Sequence, residues 1–168
     1  FAMFKTFIDE KGFTYLEAMI VVIVFGLFSA MALPALENRL AKEQLKMTAR
    51  TITMHLRELQ QLAISREETL KIIFTPGNFD DSTDSESYYR VLKGTKKMEQ
   101  KTLPDGVVIE YVTFRDEVSD GTLTYNTLIF YPLGTASPGH IRLTNRQGHA
   151  FYVIVNSVGR VRTSDVSP

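Results

Sequence analysis

From Phe13 to Leu36 the chain reads FTYLEAMIVVIVFGLFSAMALPAL, 24 residues in which Glu17 is the one charged side chain. A bilayer core takes about 20 helical residues, so this run predicts a membrane-length helix over 13–36. After Pro34 the pattern changes. Leu45, Ala49, Ile52, Leu56, Leu59 and Ala63 follow at alternating steps of four and three, which draws one apolar stripe along an amphipathic helix. Lys46, Arg50, Arg57, Glu58, Gln60 and Gln61 fall on the other faces. No Gly or Pro interrupts residues 35–66. One long helix over about 13–66 is therefore expected, apolar all round in its first half and laying a stripe on a sheet in its second. Pro34 has no amide donor and clashes with the preceding turn, so a bend is expected there; Gly26 is a second weak point.

Beyond residue 69 the period becomes that of strands. Leu70–Phe74, Tyr88–Leu92, Val107–Phe114, Leu128–Tyr131, His140–Leu143, Ala150–Val155 and Arg160–Arg162 are rich in β-branched and aromatic residues. Turn chemistry separates them at Pro76-Gly77-Asn78, Pro104-Asp105-Gly106, Ser137-Pro138-Gly139, Asn145 to Gly148, and Asn156 to Gly159. The end of the chain reads as a meander, with a hairpin loop at Asn145–Gly148 in which Gly148 is able to take positive φ.

Glu17 decides how the apolar run is read. A secretory signal peptide has an apolar region of roughly 7–15 residues with a small-residue cleavage site after it; here the run is longer, and Gly12 precedes it. A plain membrane anchor accounts for the length but not for the acid. A carboxylate at the centre of a membrane helix costs about 2.5–3.5 kcal/mol on insertion scales, offset by the surrounding Ile, Val, Leu and Phe. Glu17 either snorkels to the interface or meets a partner cation. A free α-amino group at Phe13, created by a cut after Gly12, is one such partner.

Lys11-Gly12-Phe13-Thr14-Tyr15-Leu16-Glu17 resembles the type IV prepilin leader motif. The resemblance implies a leader over residues 1–12, cleavage between Gly12 and Phe13 by a prepilin peptidase, N-methylation of Phe13, and an assembly role for Glu17. Pro34 matches a proline that the family often carries. Tyr15 departs from the small or aliphatic residue usual at its position. Lys5 and Lys11 precede the apolar run and Arg39, Lys42 and Lys46 follow it, so charge leaves orientation open. The resemblance implies a cytoplasmic leader, a single pass through the bacterial inner membrane, and a head on the periplasmic or extracytoplasmic side.

A second resemblance lies towards the other end. Ile129 to Gly139 (IFYPLGTASPG), with Ile141-Arg142-Leu143, Tyr152–Val155 and Gly159-Arg160-Val161-Arg162, is similar to the GspH/FimT family of minor pseudopilins; residues 76–127 are not distinctive. The implied fold is α+β and pilin-like, a long N-terminal helix packed on two antiparallel β-sheets. The implied organisation is a leader 1–12, an assembly helix 13–36 and a head 37–168, the head comprising an amphipathic helix 37–66 and a β-rich part 69–163. Other pseudopilins or minor pilins are the implied partners.

Composition narrows the chemistry. Net charge is zero over 168 residues, so no global field draws the chain to nucleic acid. There are no cysteines, and His55, His140 and His149 have no metal-ligand spacing with a nearby carboxylate. The acidic run Asp80–Glu86 lacks the calcium-loop spacing and its central glycine, and a solvated loop is expected in place of a metal site. No nucleophile elbow, phosphate loop or paired carboxylates occur, so neither an enzyme nor a cofactor is expected. Residues 133–168 carry Arg142, Arg146, Arg160 and Arg162 against Asp165, four minus one, or plus three. The resemblance to FimT-type members implies DNA binding through Arg160 and Arg162, whereas bare strand chemistry implies edge charges that block aggregation. Three roles are thus open: a minor pseudopilin of a type II secretion system, a DNA-binding minor pilin of a type IV pilus, and a passive single-span protein whose leader merely resembles the motif.

Overall fold

The computed structural model describes residues 14–79, 86–117 and 123–168; the side chains of residues 31–35, 115–117 and 123–125 are outside the description. Gly12, Phe13 and most of the acidic run 80–86 lie outside the described residues. The chain divides into two compact units, Phe1–Asn38 and Arg39–Pro168.

A single helix, α1 (Tyr15–Ser65), runs from the first unit into the second. It starts where Thr14 caps it: the Glu17 amide donates to Thr14 Oγ1 at 3.3 Å, and the Ala18 amide to the Thr14 carbonyl at 3.1 Å. Thr14 and Glu17 have the threonine-x-x-glutamate spacing of a capping box. Residues 31–35, with Pro34 among them, are helical. The helix stops at a left-handed residue. Glu67 has φ 52°, the Glu67 amide donates to Ile64 O, and the Glu68 amide donates to Ala63 O. This is a Schellman turn with a glutamate where glycine is usual.

Among the described residues ten strands follow: β1 (Leu70–Thr75), β2 (Tyr88–Lys93), β3 (Lys96–Thr102), β4 (Val107–Val112), β5 (Arg115–Glu117), β6 (Leu123–Tyr125), β7 (Thr127–Phe130), β8 (Gly139–Asn145), β9 (Ala150–Val155) and β10 (Val161–Ser164). They form two four-stranded sheets, ordered β3-β2-β1-β7 and β10-β9-β8-β4, and a two-stranded ribbon, β5-β6; the paired strands are antiparallel throughout. The α+β class with a long helix and two antiparallel sheets matches expectation. Three strands do not: β3, β5 and β6 were unforeseen. β3 (KKMEQKT) is an edge strand whose residues face solvent almost throughout, so burial imposed no apolar alternation on it. Val107–Phe114 is also shorter than expected, ending as a strand at Val112, while Asn145, assigned from sequence to a loop, pairs with Val107 as the last residue of β8.

The core lies where the second half of α1 meets the inner faces of both sheets. All six stripe residues, Leu45, Ala49, Ile52, Leu56, Leu59 and Ala63, are buried with Leu70, Ile72 and Phe74 of β1 and with Ile141, Leu143, Val153, Val155 and Val161 of the second sheet. Period two fixes which strand residues join them: β1 alternates buried and half-buried along its length. Each fully buried Leu or Ile contributes about 1.5–3 kcal/mol relative to exposure. The buried face of the helix is wider than the stripe, because Thr48, Thr53 and His55 are also buried.

Candidate functional site

Three features stand out: an uncovered apolar helix half, a polar latch that pins the C-terminal strand to α1, and the arginines beside it.

Every described residue from Thr14 to Ala30 is exposed except half-buried Ala18. Tyr15, Leu16, Val22, Leu27 and Phe28 are 64–81% exposed and lie on different sides of the helix. An apolar surface of this kind with no polar face is stable only against other helices or in lipid. Among the described residues no helix is long and apolar enough to cross a membrane; described side chains end at residue 30 and resume at residue 36. Glu17 is exposed in the first turn of α1, where a carboxylate complements the positive end of the helix dipole.

The latch explains the glycine-rich motif. Tyr131 to Thr135 form a tight turn closed by the Tyr131 amide to Thr135 O and the Gly134 amide to Tyr131 O, both 2.9 Å. Ser137 Oγ accepts from the Ile129 amide at 2.9 Å and the Ser137 amide donates to Ile129 O, tying the turn to the outer side of β7. From α1, Gln60 Nε2 donates to Gly134 O at 2.7 Å, and Arg57 donates to Val161 O through Nη2 at 2.7 Å and through Nε at 3.3 Å. Gly159 passes through the middle of this arrangement. A Cβ there would lie 2.1 Å from Gln60 Nε2 and 2.2 Å from Gly134 O, and φ is +76°. No residue with a side chain fits this site without displacing main chain. Gly139 is similar: its Cβ would meet the Phe114 ring at 2.5 Å. Gln60 and Arg57, assigned by pattern to the polar faces of the helix, therefore hold the head together.

Arg160 and Arg162 are exposed and line one shallow depression with Ile154 and Asn156. Neither has an ion-pair partner among the described residues. The Arg160 amide donates to Asn156 Oδ1 at 2.7 Å, so Arg160 sits at the end of the β9–β10 turn, one residue before β10 begins. The other two C-terminal arginines are engaged elsewhere. Arg142 Nε lies 3.1 Å from Glu110 Oε2, near enough to pair as charges though not aligned as a hydrogen bond. Its guanidinium stands over Tyr111 and Tyr152 at 5.8 and 6.0 Å. Arg146 stands over Phe79 at 5.5 Å. The excess of plus three counted along the sequence is thus partly neutralised by Glu110, from outside that stretch.

His55, unremarkable in sequence, is the one buried histidine among the described residues. Its Nδ1 meets the buried Tyr89 hydroxyl at 2.8 Å, and Nε2 lies 3.2 Å from Glu99 Oε2, whose other oxygen pairs with Lys101 at 3.3 Å. Burial, and then the charge of Lys101, lower the His55 pKa against the opposing pull of Glu99. Burial, with Glu99 beside it, raises that of Tyr89. A neutral imidazole then accepts from the tyrosine and donates to the carboxylate, tying α1 to β2 and to the edge strand β3. The Tyr89 hydroxyl is buried and hard to ionise, which suits a tie and not a nucleophile. His140, whose pKa burial also lowers, bonds Thr113 Oγ1 at 3.1 Å. Among the described residues no group of three His, Asp or Glu converges as a metal site would.

No curated protein sequence matches the chain. Solved structures that share its fold include the minor pseudopilin EpsH from the type 2 secretion system of Vibrio cholerae, and the type IV minor pilin FimU of Pseudomonas aeruginosa PAO1. The first has TM-score 0.52 and 15% identity, covering 72% of this chain and 96% of that one. The second has TM-score 0.50 and 10% identity, covering 73% and 90%. At these identities the likeness is one of fold. The family model described as type II transport protein GspH matches residues 48–159, which take in the helix stripe from Ala49 onward, every strand but β10, and the glycines of the latch. With well over half of its length matched, the chain belongs to the GspH family.

Proposed function

We propose that this chain is a minor pseudopilin, a structural subunit of the periplasmic pseudopilus of a type II secretion system. The observation that carries the reading is the apolar, uncovered first half of α1 on a chain whose head has the GspH fold. In this reading residues 1–12 are a leader cut by prepilin peptidase after Gly12, Phe13 becomes the methylated N-terminus, residues 13–36 anchor the subunit in the inner membrane before assembly, and residues 37–168 form the head. Pro34 loosens the helix between anchor and head. Head-to-tail contacts between non-identical surfaces then build a helical filament, in which Glu17 meets the N-terminal amine of a neighbouring pseudopilin. The work done is assembly, not catalysis.

The test is incorporation. Glu17→Ala removes both the charge and the capping-box acceptor, whereas Glu17→Gln keeps an acceptor at the third helical position. Both variants are expected to be cleaved normally but depleted from sheared filaments. Recovery of both at the wild-type level sinks the pairing; depletion of the alanine variant alone assigns Glu17 to the cap.

A second reading, a type IV minor pilin that binds DNA, is favoured by two exposed arginines at one depression, Arg160 and Arg162, which have no ion-pair partner among the described residues. Mobility shift of duplex DNA at two salt concentrations tests it. A shift that weakens with salt and disappears in the double alanine variant supports it; no shift for the wild type removes it.

A further inference from the structure

The second sheet is open on one side, and the opening is a groove. β10 is an edge strand. The Asn156 amide bonds Arg160 O, so residues 160, 162 and 164 turn their main-chain groups towards β9. By the alternation of an antiparallel ladder, Val161 and Thr163 turn theirs outward. Arg57 covers the Val161 carbonyl. Thr163 has no such cover. It lies on the same face as buried Val161 yet is exposed, so the inner face of the sheet is uncovered there.

The groove runs between this edge and α1, past Met47, Arg50, Thr53 and Met54, with Arg162 and Thr163 opposite. Met47 and Met54 are 57% and 61% exposed. Arg50 is exposed and, like Arg162, has no ion-pair partner among the described residues. Thr53 is the anomaly. It is 5% exposed, yet its hydroxyl has no hydrogen-bond partner among the described residues, whereas Thr48 and Thr51 on the same helix bond the carbonyl one turn back. A buried hydroxyl left unpaired is costly, and this one lines the groove.

We propose that the groove between α1 and β10 takes an extended, acidic segment of a neighbouring subunit as an added strand. The free amide and carbonyl of Thr163 supply the main-chain pairing of β-augmentation. Met47 and Met54 offer adaptable apolar contact, Arg50 and Arg162 receive carboxylates, and Thr53, whose hydroxyl lies just beneath the groove surface, donates to a carbonyl of the incoming chain after a side-chain rotation. Residues 47–57 span about 15 Å of helix, which matches about four or five extended residues. That the segment belongs to a neighbouring subunit rests on the pseudopilin reading; the chemistry of the groove does not.

The test uses the full chain in detergent micelles and a capped peptide of alternating glutamate and valine, seven residues long, with a lysine-valine peptide as control. Amide exchange is followed at Thr163 by fragmentation mass spectrometry. The acidic peptide is expected to slow exchange at Thr163 at least tenfold, less so at high salt, and the lysine peptide to leave it unchanged. Arg50→Gln and Thr53→Val each weaken peptide binding severalfold, while Arg160→Gln, outside the groove, does not. Exchange at Thr163 unaffected at millimolar acidic peptide, or equally slowed by both peptides, overturns the proposal. Because no other subunit takes part, that failure is separate from failure of the wild-type chain to enter filaments, which would count against the pseudopilin reading.

Discussion

Replacing Gly159 with alanine is expected to destabilise the head far more than replacing Gly148, although the two glycines have nearly the same backbone conformation. Gly159 has φ +76° and Gly148 φ +79°. Forcing a Cβ into the left-handed region costs about 1 kcal/mol at either site. At Gly148 nothing lies within 4 Å of the added atom, so the cost ends there. At Gly159 the atom overlaps both ends of the Gln60–Gly134 hydrogen bond. Breaking that bond leaves the Gly134 carbonyl without its partner, about 1–3 kcal/mol, and moving main chain to relieve the overlap adds about 1–3 kcal/mol. The total is about 3–7 kcal/mol against about 1. With a urea slope of about 2 kcal/mol/M, the midpoint falls by about 1.5–3.5 M for Gly159→Ala and about 0.5 M for Gly148→Ala. The assay is urea unfolding of the full chain in detergent micelles, followed by far-UV circular dichroism with unchanged slope as the control for two-state behaviour. Equal midpoint shifts for the two variants would refute the latch.

Two further outcomes follow from the helix. The His55 pKa is lowered in the fold from an ordinary value of 6.5; the unfolded chain therefore binds the proton first, and stability is complete above about pH 6.5 and falls as pH drops through the lowered value. Melting temperature is expected to be flat from pH 7 upward and to decline from pH 6.5 to 5.5, with a shallower decline in His55→Gln; an unchanged slope contradicts the tie. Glu67→Gly relieves the left-handed glutamate at the end of α1 (φ 52°) and should stabilise by about 0.5–1 kcal/mol, read from the urea midpoint; a lower midpoint would mean that the glutamate side chain does more than end the helix.

Elements whose burial has a period were legible in the sequence. The six-residue stripe of α1 reached the core intact, and the strands with alternating β-branched and aromatic residues all formed. β3 was illegible because neither of its faces is buried. His55 and Thr53 were illegible because a single polar residue at a buried helical position looks the same in sequence as one at an exposed position. Gln60 and Arg57 had the least signal of all, since their partners lie 74 and 104 residues away and helical pattern assigns both to solvent. Of the latch, the sequence displayed the glycines, through their resemblance to a family, without the reason for them. Gly12 and Phe13, together with most of the acidic run 80–86, lie outside the described residues, and their roles rest on the leader motif and on composition.

Processing of the N-terminus bears most directly on the whole account. The full chain is co-expressed with a prepilin peptidase and its intact mass and N-terminal peptide are measured. Loss of residues 1–12 and a new N-terminus at Phe13 carrying one methyl group are expected, both abolished by Gly12→Val. A chain that keeps residues 1–12 in the presence of active peptidase would contradict it.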